Sequence, residues 1–95
     1  MKRGITSGGF EYSYDEARLD DMRFVDVLTV VVDPEAPTFE KIAGVSKLLT
    51  MILGAEMKEA LYTHIGKTHD GRVPRADLEK ALEEIMAGSD AEKNS

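Results

Sequence analysis

The sequence predicts a mainly α protein, a small four-helix domain with a short N-terminal β-strand or hairpin. Three observations point there. Phe10, Tyr12 and Tyr14 alternate with Glu11, Ser13 and Asp15, the two-residue period of a half-buried strand. Beyond them, apolar residues recur at helical spacing in four successive stretches. Those stretches are separated by Asp33-Pro34 and Pro37, by Gly54, and by Gly66 with Asp70-Gly71, residues that stop or turn a chain.

The strand comes first. Its three rings are half of the chain's three Phe and three Tyr. A short strand leaves backbone groups and one apolar face without partners, so it must pair with another segment or another chain. Gly8-Gly9 offers a tight turn that would join Ile5-Thr6-Ser7 to Phe10-Glu11-Tyr12 as a hairpin.

The first helix is expected to start near 13–15. Ser13 and Glu16 have capping-box spacing, and Asp15 is a competing cap. Acidic residues in its first turn suit the positive end of the helix dipole. Leu19, Met22, Val25, Leu28 and Val32 form its stripe, and Phe24, Val27 and Val31 widen it. The last two turns are therefore expected to be buried nearly all round, although the β-branched run 29–32 weakens the helix assignment. The second helix, about 38–53, is apolar over most of its circumference and reads as the central one. Gly54 stops it. The third, about 55–65, follows so closely that the two form either a tight corner or one kinked helix. Asp70-Gly71 turns the chain, and Pro74 is placed to open a fourth helix over 74–87, with Leu78, Ala81, Leu82, Ile85 and Met86 on its apolar face. The domain is thus read as 1–88, and 89–95 as a disordered polar tail.

Composition narrows the function. The 95 residues carry a net charge of −6, concentrated in 11–26 and 33–40, and such a surface repels nucleic acid. No run of about 18 uncharged apolar residues is present, so no membrane span is expected. The first nine residues have no apolar h-region, so no secretory signal is expected in them. The chain has no Cys, which excludes disulfides and thiolate metal sites and fits a reducing compartment.

Catalytic and cofactor motifs are missing. Aligning Gly71 with the obligatory glycine of a calcium loop puts Gly66 first, Thr68 third, Asp70 fifth and Asp77 twelfth. The first ligand then has no side chain and the twelfth is not Glu, so at most a degenerate EF-hand-like interaction module remains. His64 and His69, five apart across a helix end, do not share a face as metal ligands would. Asp20-Asp21 and Glu83-Glu84 are neighbours that helical geometry turns about 100° apart, unlike a catalytic pair. The chain reads as a non-enzyme with no cofactor and no metal.

The apolar surplus is more informative. Val30, Val31, Val32, Leu48, Leu49, Met51, Ile52 and Leu53 exceed what one face of so small a domain covers easily. Either the central helix is buried all round, or an exposed groove or patch binds another protein or drives self-association. On the second reading the partner-binding residues are Phe10, Tyr12, Tyr14, Val30, Val31, Leu49, Ile52 and Leu53.

The order of segments also resembles a known family. GFEYSYDEARLDDMRFVDVL at 9–28, KLLTMILGAEMKEALYTHI at 47–65, DGRVP at 70–74, EEIM at 83–86 and the ending KNS resemble the small tail assembly chaperones of long-tailed (siphovirus-type) bacteriophages and of prophages in Gram-positive bacteria. The chain departs from that pattern at Thr29-Val30-Val31-Val32, where Ala, Leu and Glu are usual, and at Arg23, where an acidic residue is usual. The resemblance implies a non-catalytic protein of the host bacterial cytoplasm that binds the tape measure protein, keeping that long helical chain soluble. The major tail protein then polymerises around it, and the chaperone is absent from the virion. It also implies self-association, and a longer frameshifted product for which this chain would be the short form. The alternative within phage biology is a structural protein of the head–tail junction.

Overall fold

A computed structural model describes the backbone of residues 1–93 and the side chains of 1–87. It is mainly helical, with a two-stranded antiparallel hairpin at the N-terminus. The hairpin pairs β1 (Lys2–Ile5) with β2 (Glu11–Tyr14), in a register that sets Lys2 opposite Tyr14 and Gly4 opposite Tyr12. Its connection is Ser7-Gly8-Gly9, one residue longer than a Gly8-Gly9 turn. The Thr6 N–H donates to the Phe10 carbonyl and the Gly9 N–H to the Thr6 carbonyl, both at 2.9 Å. Gly9 has φ of 92°, the left-handed residue that such a loop requires. At Gly4 a side chain would collide with the Tyr12 phenol, so the missing Cβ lets that ring lie across β1.

The first helix starts later than its capping signals suggest. Tyr14 still belongs to β2, and Glu16–Leu19 makes one 3-10 turn capped by Asp15, whose carboxylate accepts from the Ala17 N–H. Asp21 then adopts an extended backbone and caps α1 (Met22–Val32), its carboxylate accepting from the Arg23 N–H at 2.9 Å. Two acidic caps six residues apart, Asp15 and Asp21, divide one expected helix into a turn and a helix, because a capping aspartate competes with helix interior geometry. The β-branched run stays helical to Val32, and Asp33-Pro34 ends it.

Helix α2 (Thr38–Leu53) and helix α3 (Ala55–Gly66) meet at Gly54, with φ of 84° and ψ of 163°. That single residue makes a corner, not a kink. The Arg18 guanidinium donates to the Ile52 carbonyl at 3.0 Å and closes the end of α2. After α3 the chain turns through Asp70 and Gly71, both at positive φ, and Gly66 lies so near Gly71 that a Cβ there would sit 3.3 Å from it. Helix α4 spans Arg75–Lys93, longer than the stretch 74–87. The expected disordered tail, 89–95, falls on residues whose side chains are not described, and 94–95 lie outside the described residues altogether.

The core joins the hairpin to α2, α3 and α4. Leu48, Leu49 and Ile52 of α2, Leu61 of α3 and Ile85 of α4 are sealed from solvent, and Phe10, Tyr12 and Tyr14 cover them from the hairpin side. Tyr12 and Tyr14 stack with centroids 6.2 Å apart. The Tyr14 hydroxyl donates to the Ile85 carbonyl, the Ser7 N–H donates to Glu84 at 2.9 Å, and an imidazole N–H of His64 donates to the Gly8 carbonyl. Helix α2 is the central helix. Helix α1 packs on α2 by Phe24, Val27 and Val31, and only Phe24 is fully buried. Close approach of the two helices depends on Gly44, where a Cβ would lie 2.6 Å from Val31 Cγ2.

Candidate partner-binding groove

The eight residues expected to bind a partner are divided by the structure. Phe10, Tyr12, Tyr14, Leu49, Ile52 and Leu53 are buried in the chain's own core. Physically, β1 supplies the strand partner and α2 with α4 supplies the apolar cover, so the aromatic face is satisfied within one molecule. These six hold the fold together and present no outward face. Val30 and Val31 remain half-buried on α1, but they point to different places. Val30 borders a shallow cleft above Ala43 and Gly44, whereas Val31 packs on α2 at Gly44 and lines a separate groove that α4 also borders.

Helix α1 is not covered all round. It lies at the periphery, so its stripe through Met22, Val25 and Val32 stays open; Met22 is 68% and Val32 67% exposed. Val25, Leu28 and Val32 follow i, i+3, i+7 spacing and share one side of the helix. Leu28 and Val32 on that side border an open groove of about 830 Å³. Leu28, Val31 and Val32 of α1 form one wall, Lys41 and Val45 of α2 the floor, and Leu82 and Met86 of α4 the other wall, rimmed by Glu79 and Glu83. Of these, Val31 alone belongs to the eight residues that the sequence assigns to partner binding. The signal for the others was present: α1 carries two apolar sides, 24/27/31 and 25/28/32, and a peripheral helix can turn only one of them into the core.

Two other features bear on chemistry. Between α2 and α3, the Lys58 ammonium donates to the hydroxyls of Ser46 at 2.8 Å and Thr50 at 3.0 Å, and lies 5.4 Å from the Tyr62 ring centre. A serine beside a lysine can be a nucleophile, but it also needs free donors for the oxyanion. Ser46 sits in mid-helix, where the backbone N–H groups around it are engaged within α2. The cluster therefore reads as a polar latch between two helices. In the α3–α4 loop, His69 faces oxygens on both ring nitrogens: Nδ1 the Ile65 carbonyl at 2.8 Å and Nε2 the Asp77 carboxylate at 3.1 Å. Asp77, twelfth in the calcium-loop alignment, is thus turned to a histidine. Among the described residues no three His, Asp or Glu side chains converge on a metal position.

The Glu84 carboxyl is held below its ordinary value. Hydrogen bonds from the Ser7 side chain and backbone hold it down, with a lesser contribution from Lys80. Among the described residues, no helix is long and apolar enough to cross a membrane.

No family model matches this chain, and no curated protein or solved structure is significantly similar to it.

Proposed function

We propose that this chain is a non-catalytic tail assembly chaperone that binds an apolar helical tract of the phage tape measure protein during tail morphogenesis in the host bacterial cytoplasm. The observation that carries the reading is the open apolar groove between α1, α2 and α4. A groove flanked by helices and floored by a third is a seat for an amphipathic helix, which inserts residues at i, i+3, i+4 and i+7. The net charge of −6 is the complementary property, because it keeps a complex with a greasy client dissolved. The family resemblance supplies the client's identity.

Magnitudes suit a holding role. Four client side chains buried at about 1.5–3 kcal/mol each give roughly 6–12 kcal/mol gross. Association costs about 4–15 kcal/mol. One groove therefore holds one tract weakly and reversibly. Firm binding comes from many copies along one long client, which is the physical case for self-association. It also leaves each copy displaceable when the major tail protein polymerises.

The test is co-expression with the tape measure protein of the same gene cluster. The client should move from the pellet to the soluble fraction with this chain, and Val32→Glu, which puts a charge in the groove wall, should abolish that effect. A client equally insoluble with and without the chain refutes the proposal. Stoichiometric recovery of the chain from purified virions would instead make it a structural protein, as at the head–tail junction.

A further inference from the structure

The rim of the same groove carries a charge pattern that says more about its occupant. Glu79 and Glu83 stand one turn apart on α4, and both border the groove. Like charges at i, i+4 oppose a helix slightly. Neither carboxylate has an ion pair: the salt bridges among the described residues are Lys2–Glu16, Arg23–Asp21 and His69–Asp77. Among the described residues the single cation bordering the groove, Lys41, belongs to the floor helix α2 and is in none of those bridges either. The α4 rim is therefore acidic and uncompensated beside an apolar trough.

Resting on the groove reading above, we propose that the occupant is an amphipathic helix with lysine or arginine residues, one turn apart, along the edge of its apolar stripe that faces α4. Those cations would meet Glu79 and Glu83, while the stripe meets Leu28, Val31, Leu82 and Met86. The carboxylates give direction and selectivity, and the apolar contacts give affinity. A helix whose stripe has an acidic edge on that side would bring four carboxylates together and is selected against.

Two labelled synthetic helices test this against the full chain by fluorescence anisotropy. They share one Leu/Ile stripe and differ only in having Lys or Glu at the flanking positions. The Lys helix should bind about 5- to 30-fold more tightly at low salt, since exposed ion pairs are individually modest and charge reversal doubles their effect. The gap should close at about 0.5 M salt, where the screening length falls to a few ångströms. The charge swap Glu79→Lys with Glu83→Lys should reverse the preference, and both positions lie on the helix surface, so circular dichroism should show an unchanged fold. Equal binding of both helices, blocked by Val32→Glu, overturns the charge inference but keeps the groove. Binding of neither helix, by a chain that sediments as a monomer, overturns the groove itself. Binding of neither by a chain that sediments as a dimer, dissociated by Val32→Glu, makes a second copy the occupant and overturns the inference.

Discussion

Gly44→Ala is the substitution on which two effects of similar size collide. Gly44 lies in the interior of α2, at ordinary helical φ, so adding a methyl should help the isolated helix by about 1 kcal/mol. The methyl, however, would arrive 2.6 Å from Val31 Cγ2 and 3.6 Å from Val27 Cγ1. Carbon atoms rest at about 3.5–4.0 Å, so something must yield by about 1 Å. Val31 is β-branched and in a helix, and driving it off its rotamer costs about 0.5–1.5 kcal/mol. Moving α1 instead is overpacking, at about 1–3 kcal/mol. The net expectation is a loss of about 1 kcal/mol, and a fall in Tm of about 4–8 °C for a domain of this size. Urea unfolding followed by far-UV circular dichroism reads the first, and a thermal scan the second. The decisive measurement is the double-mutant cycle with Val31→Ala. With the branched side chain gone, Gly44→Ala should become stabilising, giving a coupling of about 1–3 kcal/mol. If Gly44→Ala stabilises the chain equally in both backgrounds, α1 does not cross α2 at this point, and the groove wall built on α1 goes with it.

Two further outcomes are expected. Leu49→Ala should cost about 2–5 kcal/mol in urea unfolding, since Leu49 is completely sealed and its removal leaves a cavity, whereas Phe39→Ser, at a residue 86% exposed, should stay within about 0.5 kcal/mol. A Leu49 variant as stable as the parent would return that residue to the surface and to the partner. The second concerns pH. The Glu84 carboxyl is lowered from 4.5 in the folded state, so its bond to Ser7 stabilises the fold above about that pH. The stabilisation is lost as pH falls through the lower folded value. Thermal scans between about pH 5 and 3 should show a fall in Tm that Glu84→Gln flattens, because the amide still accepts from the Ser7 N–H without titrating; identical profiles for the two proteins would mean that the hairpin does not dock through this carboxylate.

The helices and their breaks were legible because each was written in neighbouring residues. Pro34 and Pro37 end and open helices, Gly54 turns a corner, and the Phe10–Tyr14 alternation marks a strand. The start of α1 was not legible in the same way. Asp15, Asp20 and Asp21 are all competent caps, and the choice among them followed from where β2 stopped pairing and where Leu19 met the core. The site was the least legible part. Leu49, Ile52 and Leu53 look as available in sequence as Val31, yet they are core because the hairpin folds back over α2 and α4.

Local order in this chain comes from short-range causes: periodicity, capping and backbone-restricted residues act within a turn or two, so the residue string alone sets a hairpin and four helices. Which apolar faces stay open is a different kind of quantity. It depends on the number of neighbours each helix acquires, and that is fixed by long-range docking. The Gly54 corner, the hairpin clasped to Glu84 and Ile85, and the Gly44 crossing surround α2 on its sides and leave α1 at the edge. The groove exists because α1 has two apolar sides and only one neighbouring helix to bury them against.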